Sequence, residues 1–167
     1  AGMAWDGTAV LQPREPKTTE DQKRFAMSPG LRFDDLSRLT VPHPKVAAFL
    51  PRATKRTTVR VAGGTERVFV TGLTPDYAVF MNRPVSLGRG LTADDARRRS
   101  TVAVVGATLA SKLFGGADPV GRDVVIEGVP WRIVGVLAPL MVFNETLYYD
   151  ANGLMVPLET YVVRIDP

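Results

Sequence analysis

TVAVVGATLASKLFGGADPVGRDVVIEGVPWRIVGVL, Thr101 to Leu137, moves from one structural period to another and back. Val102 to Val105 form an apolar, β-branched run that reads as a buried strand. From Ala107 to Phe114 the period changes: Leu109, Ala110, Leu113 and Phe114 share one helical face, so this helix packs on a sheet. Asp123 to Leu137 then reads as a hairpin turning near Glu127-Gly128. Between helix and hairpin, Gly116 and Gly121 have the spacing of a phosphate-binding loop, but Arg122-Asp123 stand where such a loop needs Lys and Ser or Thr. That loop also leaves a strand and enters a helix, aiming backbone N–H groups at the phosphates, whereas here a helix enters and a strand leaves. The glycines are therefore structural. Gly115-Gly116 sit where a left-handed C-cap ends the helix, Asp118-Pro119 make the turn, and Gly121 swings the chain into the next strand. Gly135, inside a strand, points to a bulge or a close backbone approach.

Upstream, Val59 and Val61 alternate with polar neighbours, Gly63-Gly64 supply a turn, and Val68 and Val70 alternate again, which predicts a first hairpin. Thr74-Pro75 open a short helical turn. Thr92 with Asp95 approximates a capping box, and Arg97-Arg98-Arg99 fall where that helix ends. Phe33, Leu36 and Leu39 recur at helical spacing with Asp34 and Asp35 in the first turn, and Val41-Pro42-His43-Pro44 close this segment. Residues 8–12 read as a short strand, and Pro13 to Gly30 as a polar, proline-punctuated connection. The fold class is α+β: a mixed sheet with β-hairpins and short packed helices.

Composition narrows the function. A 167-residue chain with 45% apolar and 23% charged residues builds a globular core. The net charge of +4 rests mostly on arginine, but the charges are scattered and the tight cluster Arg97-Arg99 follows Asp94-Asp95, so nucleic acid is not the expected partner. With no cysteine and one histidine, His43, neither a metal site nor a triad nucleophile is supported. Asp34-Asp35 and Asp94-Asp95 are adjacent pairs, which face different directions on a helix and serve as first-turn charges. No catalytic, cofactor-binding or metal-binding residue is assigned. Met141, Phe143, Leu147, Tyr148 and Tyr149 crowd one segment without a clean period; they read either as an apolar contact surface or as a loop folded onto the core.

Four stretches in order resemble the MacB-like periplasmic core domain of MacB-like and FtsX-like ABC transporter permeases: Val70–Tyr77, Pro84–Asp95, Thr101–Leu137 and Leu154–Thr160. The resemblance covers about residues 31–160, so residues 1–30 are assigned as an N-terminal strand and irregular connection, and residues 31–167 as the core domain with a porter-like lobe. It implies that Gly88-Arg89-Gly90 form a tight turn delivering Arg89 to nearby carbonyls or an acid, that Phe114 plugs the helix onto the sheet, and that Gly115, Gly116, Pro119, Gly121 and Gly135 shape the backbone. It further implies a non-enzymatic domain on the periplasmic or extracellular side of an inner-membrane permease. Its ATP is bound by a separate nucleotide-binding domain or subunit, and its partners are a second permease copy or paralogue and a periplasmic adaptor or substrate protein. On this reading an apolar span precedes Ala1 and further spans follow Pro167. The competing expectations are an extracytoplasmic binding module for a peptide, lipid or lipoprotein, and a small hydrolase using Asp94 or Asp95.

Overall fold

The computed structural model describes residues 18–27, 35, 49–80, 83–139, 141–142, 145–146 and 152–166. The chain divides into two units, Ala1–Phe49 and Leu50–Pro167. In the first, the expected polar connection contains a helix, α1 (Thr19–Met27). Thr18 starts it: its hydroxyl accepts from the Asp21 N–H at 3.0 Å, and Glu20 and Asp21 place negative charge in the first turn. The T-x-x-D spacing between Pro16 and Pro29 carried that signal in a stretch too polar to show a hydrophobic period. The expected strand at 8–12 lies outside the described residues, as does the expected helix around Phe33–Leu39 except for Asp35.

The second unit contains β1 (Arg52–Val61), β2 (Gly64–Leu73), α2 (Pro75–Phe80), β3 (Val85–Gly88), α3 (Ala93–Arg97), β4 (Val102–Gly106), α4 (Ala107–Phe114), β5 (Asp123–Ile126), β6 (Val129–Leu137), β7 (Met141–Val142), β8 (Glu145–Thr146), β9 (Gly153–Pro157) and α5 (Leu158–Arg164). Both expected hairpins are present. β1 and β2 pair from Arg52↔Leu73 to Val61↔Gly64, and β5 pairs with β6 around Glu127-Gly128. Those two turn residues have φ of 49° and 78°, the doubly left-handed pattern whose twist suits a two-residue hairpin. Seven strands form one sheet in the order β3-β6-β4-β9-β2-β1-β5. It is mixed: β2–β9 and β4–β6 run parallel, the other pairs antiparallel. β5 also pairs with β6, so the sheet coils back on itself, and six strands make a ring joined at β1–β5 by Val59↔Ile126 and Arg60↔Val125.

Alternation sorts the side chains onto two faces. Val59, Val68, Val70, Ala103, Val105, Leu154, Val156 and Trp131 turn inward and meet Leu109 and Ala110 of α4 and Tyr161 of α5. On the opposite face Leu73, Val104, Leu137 and Met155 form a smaller cluster with Tyr77, Val85, Leu91 and Val134. Both clusters draw on β4 and β9, which explains why those strands read as unbroken apolar runs. α5 lies close because Gly72 has no side chain: a Cβ there would stand 2.5 Å from Tyr161 Cβ.

Candidate functional site

Two of the sequence motifs meet at one backbone junction. The register of β4 against β6 shifts between Ala103 and Val104, where Ile133 and then Gly135 are the partners, so Val134 is bulged out. β3 reaches the same strand from the other side, and Gly88 pairs with Gly135. The contact is backbone on backbone. A Cβ on Gly135 would run into the Arg89 carbonyl, and one on Gly88 would strike the Val134 carbonyl oxygen. Gly88 also has φ of 72°, which disfavours any side chain, and the Arg89 N–H donates to Val134 O at 2.9 Å.

From this junction the Arg89 side chain turns to α3. Its guanidinium donates to both carboxylate oxygens of Asp95, at 2.7 and 3.1 Å, and to Gly90 O at 3.0 Å. Asp95 also accepts from the Thr92 N–H and hydroxyl, while its own N–H donates to Thr92 Oγ1. This is a capping box with an arginine added. Burial pushes the Asp95 pKa up, but the bonds from Arg89 and Thr92 outweigh it and hold the carboxyl below its ordinary value. Asp94 is held down too, chiefly by Arg97, and it pairs with both Arg97 and Arg98. Both carboxylates are ionised and committed to arginines. Neither is presented as a poised acid or base, which removes the motivation for a hydrolase.

The glycines of the α4–β5 connection do backbone work. Gly115 caps α4 in the left-handed conformation, with its N–H bonded to Ser111 O at 2.9 Å. Gly116 and Gly121 also have positive φ, 87° and 83°. Pro119 is buried, and Asp118 Oδ1 accepts from the Val120 N–H at 2.8 Å, closing the turn. Gly121 and Arg122 then begin pairing with Ile133. Phe114 is half-buried against the core, and the Arg122 guanidinium lies 5.7 Å from its ring centre. No stretch of this connection aims a helix N-terminus at a ligand.

Of the expected contact surface, Met141 begins β7, which pairs with β8 in a two-stranded ribbon; Phe143, Leu147, Tyr148 and Tyr149 lie outside the described residues. A cavity of about 290 Å³ occurs elsewhere, on the smaller apolar cluster. Leu73, Val79, Val85, Leu91 and Met155 line it, together with Arg83, which is 7% exposed. Sequence reasoning missed this cleft because its walls come from β2, α2, β3 and β9, whose proximity depends on strand order. Among the described residues no helix is long and apolar enough to cross a membrane.

The coiled mixed sheet and its glycine junctions make an α+β domain whose described motif residues form turns, caps and close packing. The MacB-like periplasmic core domain family matches residues 3–167, and the chain belongs to that family. It is 35% identical over 96 residues to the macrolide export ATP-binding/permease protein MacB of Azoarcus sp. (strain BH72), covering 58% of this chain and 15% of that protein. It is 37% identical over 95 residues to the pyoverdine export ATP-binding/permease protein PvdT of Pseudomonas aeruginosa, covering 57% of this chain and 14% of that protein. The chain thus corresponds to a small part of these relatives' length. The crystal structure of the periplasmic region of MacB from Actinobacillus actinomycetemcomitans has the same fold, with a TM-score of 0.69 at 20% identity over 82% of this chain and 59% of that one. So does the extracellular domain of the ABC-type transporter YknZ from Gram-positive bacteria, with a TM-score of 0.70 at 21% identity over 86% and 71%.

Proposed function

We propose that this chain is the extracytoplasmic domain of an ABC transporter permease and acts as a rigid, non-catalytic lever. ATP is hydrolysed by a separate nucleotide-binding domain or subunit, and the resulting helix motion moves this domain against a second permease copy or paralogue. The movement serves export or activates a periplasmic adaptor or substrate protein. One observation carries the reading: the larger of the two apolar clusters runs without a break through the coiled sheet, α4 and α5. Close-packed interiors transmit displacement with little deformation, so a push at one end emerges as rigid-body rotation.

This chain contains no cysteine, so labels introduced in it are unique once any cysteines elsewhere in the full-length transporter are replaced. Spin labels on Ala62→Cys and Thr108→Cys, placed in the full-length transporter, report distances within one domain and between two. Trapping the ATP-bound state should shift the distance between domains by several ångströms and leave the distance within a domain unchanged. A change of similar size within the domain would overturn the lever.

A second reading, a binding module for an apolar ligand, is favoured by the cleft beside Leu73 and Met155. Its volume suits only a small ligand. Saturable binding of a short-chain fatty acid, lost in Met155→Lys, would support it.

A further inference from the structure

β1 carries a regularity that charge counting does not reveal. Arg52, Thr54, Arg56, Thr58 and Arg60 alternate with residues that face the core, so all five stand exposed on the outer face. Register adds the facing residues of β2: Thr71 opposite Thr54, Phe69 opposite Arg56, Arg67 opposite Thr58 and Thr65 opposite Arg60. No carboxylate belongs to this strip, because Glu66 pairs with Val59 on the core side. At an ordinary strand rise the strip is about 27 Å long. Its four guanidiniums carry as much positive charge as the chain's net +4.

Elsewhere in the same unit, four arginines are matched to carboxylates. Arg89, Arg97, Arg98 and Arg132 each meet a carboxylate at 2.6–3.0 Å. On the strip, Arg52 donates to the Tyr77 hydroxyl at 3.2 Å and Arg56 lies over the Phe69 ring at 5.7 Å; among the described residues none of the four meets a carboxylate. Two guanidiniums are thus oriented without being neutralised.

We propose that this outer face of the β1–β2 hairpin docks an acidic polypeptide surface. The charge calls for anions, and a second copy of the same strip would repel it. Guanidinium forks bind carboxylates in pairs, and arginines held by Tyr77 and Phe69 lose less freedom on binding than mobile ones. A fluid lipid surface gains nothing from that fixed spacing. The strip is narrow, about 300 Å² by its two-strand width, well below a standard interface half of about 800 Å². Association is therefore weak alone and strongly salt-dependent, strengthened where both partners are tethered. The inference concerns this surface only and stands whether or not the domain works as a lever.

The test compares two triple variants of the chain that remove equal charge: Arg56→Gln/Arg67→Gln/Arg60→Gln on the strip, and Arg97→Gln/Arg98→Gln/Arg99→Gln at the C-terminal end of α3. The probe is poly-L-glutamate at low ionic strength, measured by fluorescence anisotropy, with circular dichroism checking the fold. The strip variant should weaken binding at least tenfold and the helix-end variant less than twofold, and added salt should weaken the parent's binding steeply. Equal losses in both variants would reduce the effect to net charge and overturn the proposal. Absence of parent binding would do the same. Phosphatidylglycerol vesicles that bind more tightly than poly-L-glutamate, with the same dependence on the strip, would make the face a membrane contact instead.

Discussion

Asp95 receives hydrogen bonds from Arg89 and Thr92 and anchors the first turn of α3 to the β3 end. Its lowered pKa fixes the sign of a pH effect. A carboxyl whose folded pKa lies below its unfolded value stabilises the protein above the ordinary carboxylate range, and that contribution is lost as pH falls through the folded value. Urea midpoints measured from pH 6 down to pH 2 should therefore fall more steeply for the parent than for Asp95→Asn. At neutral pH, Thr92→Ala should cost about 1 kcal/mol by the same denaturation assay, the usual worth of an N-cap hydroxyl. The Thr92–Asp95 box was legible in the sequence because capping is local. That Arg89 completes it was not: the resemblance called only for a carbonyl or an acid within reach, and the choice of Asp95 depends on how β3 approaches α3.

At the scale of elements, the crossing of β3 over the bulged β6 depends on two glycines. Gly135→Ala would force a methyl group into the Arg89 carbonyl. Backbone cannot step aside as a side-chain tip does, so a loss of at least about 2 kcal/mol is expected in thermal or urea unfolding. Gly72→Ala meets Tyr161 Cβ and should lose about 1–3 kcal/mol, whereas Gly63→Ala, with open space around it, should change little. The hairpins and α4 could be read because their periods are self-contained. β3, β9 and α5 could not, since β3 is only four residues long and β9 passes at Pro157 straight into α5 with no turn signal between them. The Arg-x-Thr-x-Arg-x-Thr-x-Arg alternation of β1 was present in the sequence, yet a count of charges treated it as scatter; a two-residue period would have shown it.

For the whole molecule, the inner core contains two polar atoms without a hydrogen-bond partner among the described residues, Trp131 Nε1 and the Tyr161 hydroxyl, and the second titrates. Tyr161 is 1% exposed and its hydroxyl has no hydrogen-bond partner among the described residues. Burial, with the nearby Asp166 charge adding to it, pushes its pKa up to about 12. A raised value in a phenol means stability that is intact below the unfolded value near 10 and declines as pH climbs towards 12. Tyr161→Phe should be neutral or slightly stabilising at pH 7, and its advantage over the parent should widen above pH 10 in isothermal urea titrations. The α+β class was readable from alternating periods, but the ring was not, because nothing local says that β5 will find β1.

That closure has a kinetic consequence. The two residue pairs joining β1 to β5 connect segments far apart in sequence and contribute few hydrogen bonds. Contacts of that kind form late, since much of the chain must already be ordered before their ends meet. The same thin seam is the cheapest place for a partial opening that leaves the rest folded. Amide exchange should thus be faster at Arg60 than at Val105 in β4, which is paired on both sides.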